Sequence, residues 1–482
     1  MNTRLSKSIK YIYYFIMLVI YPLVMHDMYF DISNTKLVVF YVASFILVLG
    51  SGVVLMTSDG ALKDYYLEFA LGGLFIASLV VCFLINGRGK ELLIGELEYN
   101  TGLIFLLTLA ISCICMVSLG DDSKKARRHN IFTVMMLVTG CAVGVVSIIQ
   151  FVGYDIGGML GAIQYENQII FLGTFGNISF TGFYFVMIFP FAVYGLTAGG
   201  NRFIQGLGFV SAFVAATGVL ISNNDGTVLA FAVIMLVLGI IMLKSKPLAY
   251  YVCLLLTGLA FSFVGLLTII PSARFLDIHQ RLLVRPGFLA ITYVLSIVGI
   301  VLARKAAKNL FSEIIWWICA GALGLVCIMP ILIIVYTNMH DHNPNTFWSN
   351  LLYFDVHWGT DRGYLWEAAW KIFKSGNPIQ MLFGQGPEGF GNAYIKDYYE
   401  ISLAMGLYPN YDAHNIFLQF LCEYGILGLG TGLAFLIIRI KRGLTSDDFF
   451  CRVRAVALVG AMVASMFLVV QNITLGFLCL LI

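Results

Sequence analysis

Apolar residues run along this chain in blocks about as long as a bilayer is thick, separated mostly by short polar joints. Hydropathy predicts membrane spans at 9–30, 36–56, 67–85, 103–119, 131–153, 178–197, 203–222, 226–243, 248–270, 287–303, 314–337, 415–438, 455–470 and 471–482. Each approaches the roughly 20 residues an α-helix needs to cross hydrocarbon. The last two read equally as an interrupted hairpin or one long helix, so the expected count is about 12 to 14. The fold class is therefore all-α, a polytopic transmembrane bundle with a large extracytoplasmic loop carrying short amphipathic helices. Four regions follow: N-terminal spans over 1–153, central spans over 154–337, a loop over 338–414 and C-terminal spans over 415–482.

Composition agrees. Hydrophobic residues make up 60% of the 482 and charged residues 11%, against roughly 25% charged in soluble domains. No basic cluster reads as a nucleic-acid patch. The first block looks too long for a signal-peptide core and lacks a small-residue cleavage site, so it is expected to be a retained helix. Nine of the ten cysteines sit in apolar blocks and Cys451 in a basic loop, which predicts packing residues and not disulfides or zinc ligands.

Lys and Arg set the orientation. With the N-terminus in the cytoplasm, the cytoplasmic joints hold 19 of the 29 basic residues, among them Lys63, Lys124, Lys125, Arg304, Lys305, Arg439, Lys441 and Arg442. The outside segments hold 10, including Arg88, although they contain most of the loop length. The long loop is thus expected outside, where ATP and nucleotide sugars are absent and a group-transfer reaction needs a donor already activated on the membrane.

That loop carries the candidate chemistry. Leu365, Trp366, Ala369, Trp370 and Phe373 share one face of a predicted amphipathic helix, with Glu367, Lys371 and Lys374 opposite and Asp361 or Thr360 as its cap. The tryptophans suit lid packing or sugar stacking. Arg362, at the helix edge, can hold a phosphate bidentately or pair with Asp361 or Glu367. His414 follows Asp412, a candidate N-cap, and so is expected in the first turn of the next span. A helix N-terminus keeps an imidazole neutral, the form a general base needs; the plainer reading is an interfacial polar residue. Glu423 lies inside that span, as a functional carboxylate or a structural hydrogen-bonding one. Arg274, Arg281 and Arg285 run against the charge trend in an outside loop. His340, His342 and His357 show no metal-ligand spacing, and His129 lies in a cytoplasmic basic run.

In combination these residues resemble a family. "DRGYLWEAAWKIFKSGNPIQMLFGQGPEGF" followed by "YDAHNIFLQFLCEYGILGLG" is similar to the signature half of the O-antigen ligase and O-antigen polymerase family. The pattern elements are Arg362, Trp366, Gly384, Gly386, Phe390, His414, Asn415, Leu418, Gln419, Glu423, Gly425, Ile426 and Gly428. A second likeness lies in "GTFGNISFTGFYFVMIFP" at 173–190. The resemblance implies a multi-pass enzyme of the bacterial inner membrane that transfers glycan from undecaprenyl diphosphate on the extracytoplasmic face. The acceptor it implies is another glycan or lipid-linked sugar, with no cofactor, metal or nucleotide. It implies His414 as the base and Arg362 as the diphosphate ligand, with Arg281, Arg285, Trp366, Asn415 and Glu423 as substrate-binding candidates.

One segment departs from the pattern. Many ligases carry a Ser-Arg pair at the outer end of a middle helix, whereas "LISNNDGTVLAF" offers Ser222, Asn223, Asn224, Asp225 and Gly226 without a cation. Arg281 or Arg285 can supply that charge instead, or the donor differs, and the missing arginine favours a polymerase. The competing class is a lipid-linked oligosaccharide flippase or other transporter. Its usual internal repeat and paired broken helices are not seen.

Overall fold

The computed structural model describes residues 2–482 except 56–63, 88, 96–98, 120–125, 162, 198–200, 307, 342–351, 408, 409 and 470, with the backbone alone at 2–4, 54, 55, 126–128, 165 and 166. Lys63, Arg88, Lys124, Lys125 and His342, named above, lie outside these residues. Among the described residues the chain is helical and contains no strand.

The helices, in order, are α1 (Asn2–Phe15, continued by a π-helical turn at Ile16–Ile20 and by Tyr21–Leu23), α2 (Ile32–Leu55), α3 (Tyr66–Ile85), α4 (Leu103–Ser118) and α5 (Ala126–Phe151). Then come α6 (Ile178–Thr197), α7 (Arg202–Ile221), α8 (Asp225–Met242), α9 (Pro247–Leu267), α10 (Pro286–Lys305) and α11 (Leu310–Met339). After α11 lie α12 (Trp358–Ser375), α13 (Pro378–Phe383), α14 (Gly389–Asp397) and α15 (Tyr399–Ala404), then α16 (Ile416–Leu444) and α17 (Phe449–Ala464).

Among the described residues ten helices are long and apolar enough to cross a membrane: α2, α3, α5 to α11 and α16. The multi-pass expectation holds. The difference from the higher count lies in α1, divided by its π turn, and in α4 and α17, which have 16 residues each. The final apolar stretch is neither a long helix nor a full hairpin. It forms two four-residue pieces, Asn472–Leu475 and Leu478–Leu481.

Burial follows hydrophobicity around each helix. α6 is apolar on every side and lies at the centre, with 83% of its span buried, whereas α11 has 6% buried. Phe183, Phe185, Phe189 and Phe191 of α6 have almost no exposed surface. α11 instead presents Trp317, Ile331 and Ile334 outward.

Polar contacts sort the joints into two ends. At one, Lys36 Nζ donates to the carbonyls of Tyr21 (2.7 Å) and Val24 (3.2 Å), closing the C-terminus of the first helix. Arg274 ties 151–171 to the α9–α10 joint, its backbone N–H donating to the Phe151 carbonyl and its guanidinium to that of Phe171 (2.7 Å). Thr174 of the "GTFGN" turn donates to the Pro22 carbonyl (2.6 Å). The segment 352–415 belongs to this end, since Asn86 Nδ2 donates to the Gly384 carbonyl (3.0 Å) and Ile416 N–H to that of Ser465 (3.0 Å). At the other end Glu68 pairs with Arg442 (2.9 Å) and Arg439 (3.5 Å), and Lys244 lies 3.6 Å from the centroid of the Trp316 ring. His129 is part of this end and is buried, stacked on Phe450 with centroids 4.1 Å apart.

Candidate functional site

The 352–415 segment has a core of its own. Tyr364, Leu365, Ala368, Ala369, Ile372 and Phe373 of α12 pack on Phe390, Tyr394, Leu407, Ala413 and Cys422. The buried face of α12 is therefore rotated from the expected one. Trp370 is 45% exposed, on the side of Lys374, whose Nζ lies 4.9 Å from the centroid of its ring. Glu367 and Lys371 form the expected i,i+4 pair at 2.6 Å.

A glycine seam fixes this small core to the membrane helix. α16 breaks at Gly425 (φ 65°), which leaves the Cys422 and Glu423 carbonyls free to accept from Gln385 N–H (2.9 Å) and Gly386 N–H (3.0 Å). Backbone meets backbone here. A Cβ on Gly384 (φ +88°) would strike the Glu423 carbonyl, and one on Gly425 would lie 2.5 Å from that of Leu382. The Gly-x-Gly and Glu-Tyr-Gly motifs, some 40 residues apart in the chain, are the two halves of one joint.

Arg362 and His414 are set by strained backbone on either side of that joint. Gly359, Thr360 and Asp361 form a left-handed turn (φ 63°, 63° and 65°), and the right-handed helix begins only at Arg362. Neither Thr360 nor Asp361 caps α12 as the sequence suggested; Asp361 instead binds His357 Nδ1 at 3.1 Å. With Asp361 and Glu367 both engaged elsewhere, the Arg362 guanidinium is left to the Gly359 carbonyl, to which Nη1 donates at 2.7 Å. Its Nε is buried without a hydrogen-bond partner among the described residues, and so is Trp366 Nε1 one turn later. Two donors on one helix face thus lack an acceptor among the described residues. Trp366 also lies 6.1 Å from Phe467 between ring centroids.

His414 adopts φ 49°, a left-handed conformation rare outside glycine. The expected cap is displaced by three residues. Asn415 and not Asp412 is the N-cap of α16, its Oδ1 accepting from Phe417 N–H (3.0 Å) and Leu418 N–H (3.2 Å). Asp412 instead accepts from the His414 backbone N–H at 2.6 Å. His414 therefore stands just outside the helix, and the dipole argument made for a first-turn position does not apply. Burial first, and the Arg362 guanidinium second, push its imidazole down to about 3. The ring is neutral at physiological pH for these reasons. Asn410 Oδ1 accepts from Asp412 N–H (3.3 Å), which turns the Asn410 amide nitrogen toward His414 Nε2.

Asp225 adds an unexpected member. Burial lowers the Arg362 guanidinium's proton affinity and the Asp225 carboxylate opposes that, so the "SNND" segment faces the arginine. Asp225 accepts from Gln280 Nε2 (2.8 Å) and binds His279 Nδ1 (2.8 Å), while Asn223 Oδ1 accepts from Asp277 N–H (2.8 Å). This latch brings the 277–281 turn to the site. Arg281 lies on it, exposed, with Nε donating to the Leu276 carbonyl (2.6 Å). Arg285 is exposed at the start of α10. Neither arginine takes part in the hydrogen bonds around His414. Glu423 is buried below, accepting from Gln419 Nε2 (2.7 Å), and Gln419 Oε1 accepts from Ala413 N–H (2.9 Å). Sequence reading passed over Asp225 as an anchor and Gln419 as a strut, because both act through residues distant in the chain or across a turn. No group of three or more potential metal ligands occurs among the described residues.

An apolar groove descends from this end into the bundle. Its wall includes Ile416, Phe417 and Phe420 of α16, Phe75 of α3 and Leu109 of α4, and it continues to Leu436. The groove's lining begins at Ile416, two residues after the neutral imidazole, and Arg362 adds a half-buried cation with an unused donor. Such a set can take a proton from a hydroxyl and hold an anion whose tail lies in hydrocarbon.

No curated protein matches the chain. Residues 281–431 match the family model described as O-antigen ligase, a stretch that takes in Arg281, Arg362, the glycine seam, His414 and Glu423. That match takes in the longer of the two stretches whose order suggested it and supports the O-antigen ligase/polymerase family for residues 281–431 of this multi-pass membrane protein.

Proposed function

We propose that this chain is a membrane glycosyltransferase that moves or polymerises glycan from undecaprenyl diphosphate. The observation that carries the reading is the pair of buried, unpartnered donors at Arg362 Nε and Trp366 Nε1, beside a neutral His414. A diphosphate on Arg362 meets charge-assisted donors in a site largely withdrawn from water, where they are strongest. The groove from Ile416 to Leu436 suits the polyprenyl tail. The acceptor hydroxyl gives its proton to His414 and its oxygen forms the new bond to C1 of the donor sugar. The C1–O bond to the diphosphate breaks, and its electron pair leaves with undecaprenyl diphosphate. An anion on Arg362 also offsets that cation's effect on His414, so donor binding raises the basicity of the imidazole.

Arg281, carried on the latched 277–281 turn, is the candidate second cation, with Arg285 behind it. Lys244, Arg439 and Arg442 fall at the end opposite the site, which by the positive-inside trend supports a site on the extracytoplasmic face of a bacterial inner membrane. The test is mass spectrometry of the lipid-linked glycan in cells carrying His414→Ala. Single repeats on the carrier mean a lost polymerase, and long chains stranded on it a lost ligase. An unchanged lipid pool contradicts the reading and returns the protein to the transporter class.

A further inference from the structure

Five tyrosines of the loop segment stack on one another in and around its small core, and one of them, three residues before His414, is exposed. Tyr364 and Tyr394 are buried in the small core and Tyr398 packs against it, partly buried. Tyr411 does not: it is 44% exposed, three residues before His414, and stacks on Tyr399 with the rings 9° from parallel and centroids 6.2 Å apart. Tyr399 backs the ring from one side. From another, the start of α14 packs on the Tyr411 backbone, where a Cβ on Gly391 would lie 3.1 Å from its carbonyl oxygen. Tyr411 is thus a supported aromatic face and not a loose surface side chain.

The neighbouring residue connects this face to the reacting nitrogen. The Asn410 amide donates to His414 Nε2, so in this state that nitrogen accepts a hydrogen bond and the imidazole carries its proton on Nδ1. A hydroxyl that is to lose its proton to Nε2 has to take the place of the Asn410 amide. Tyr411 is the next residue after Asn410 and stands three before His414, so its ring is carried by the same short segment as the nitrogen that hydroxyl has to reach.

Resting on the glycosyltransferase reading, we propose that the exposed Tyr411 face is the acceptor subsite. A pyranose ring of the acceptor glycan lies on Tyr411, and its nucleophilic hydroxyl replaces the Asn410 amide at His414 Nε2. The apolar face of a sugar, lined with C–H bonds, suits an aromatic ring whose face carries negative charge. The donor is held elsewhere, on Arg362 and Trp366, so the two substrates meet at His414 from different sides. This assigns Tyr411 and Asn410 to acceptor selection and leaves the diphosphate contacts untouched.

The full-length chain, reconstituted in vesicles of phosphatidylethanolamine and phosphatidylglycerol, tests this. It is supplied with undecaprenyl-diphosphate-linked glycan extracted from cells carrying His414→Ala. It is then titrated with the soluble glycans that mild acid releases from the envelope of the same cells, and transfer is read by mass. Tyr411→Ala is expected to raise the half-saturating glycan concentration about tenfold with the maximal rate retained, and Tyr411→Phe to stay within about twofold of wild type. The proposal is overturned if Tyr411→Ala leaves the glycan dependence unchanged, or if it weakens donor and glycan use equally. Loss of rate in Tyr411→Phe as well would assign the effect to the hydroxyl and also overturn it. Absence of any transfer by the wild-type chain would instead sink the glycosyltransferase reading itself.

Discussion

The membrane bundle and the 352–415 segment both bury apolar side chains, but by different means. In the bundle, helices such as α6 carry Phe and Val on every side and pack by length and hydropathy, while α11 leaves most of its surface for lipid. The segment has short helices, none longer than 18 residues, and a core of only eleven buried residues, four of them aromatic. Such a core cannot hold Arg362 and His414 in register alone. It borrows rigidity from α16 through the Gly384–Gly425 joint and through Cys422, whose Sγ donates to the Ala369 carbonyl at 3.0 Å. The bundle is the anchor, and the strained turns that present the chemistry are placed on it.

Breaking the joint is expected to have the largest effect. Gly425→Val combines a positive φ with backbone at 2.5 Å, a conformational cost of about 1–3 kcal/mol plus an overpacking cost of about 1–3 kcal/mol. Accumulation of the folded protein and transfer should fall together, as read by thermal denaturation in detergent. Normal stability with normal transfer would show that the small core stands without the joint.

Arg362→Lys comes next. A lysine keeps the charge but loses Nε and the planar fork, so transfer should drop by about 10²–10³-fold with little change in thermal stability. Near-wild-type kinetics would mean the unpartnered Nε is not the donor contact.

The third prediction concerns pH. Only neutral His414 can take a proton, and its folded-state value of about 3 lies far below the ordinary one. Lowering the pH from about 8 to about 5 should therefore leave kcat/KM free of a histidine limb, whereas an unperturbed imidazole would lose about thirtyfold. A limb near pH 6.5 would show that His414 is more open to water than this packing allows.

The smallest effect sharpens the contrast from the solvent side. The Glu367–Lys371 pair is exposed on α12, and Lys371→Ala should cost no more than about 0.5 kcal/mol, measured by the same denaturation. A large loss would mean that the small core depends on its surface charges.

What could be read from the residues follows the same division. Bilayer-length apolar runs reveal α2, α3, α5 to α11 and α16 because in lipid the helix has no competitor as a way to satisfy backbone polar groups. Arg362 and His414 stood out as ionisable groups at helix mouths. Their caps did not, since a cap is chosen by a one-residue change in backbone angle: His414 at φ 49° shifts the start of α16 from Asp412 to Asn415. The buried face of α12 differs from the expected one because its partners are Phe390, Tyr394, Leu407, Ala413 and Cys422, which lie further along the chain. The role of the glycines was hidden too, as each meets backbone some 40 residues away. Asp225 was visible only as a missing cation, and its partners His279 and Gln280 lie 54 and 55 residues on.

The measurement closest to the central claim compares donor binding with transfer in reconstituted His414→Ala. If His414 is the base and Arg362 the diphosphate ligand, undecaprenyl-diphosphate-linked glycan binds this variant with wild-type affinity while transfer falls by about 10²–10⁴-fold. Transfer that survives the substitution, with binding intact, would contradict the account.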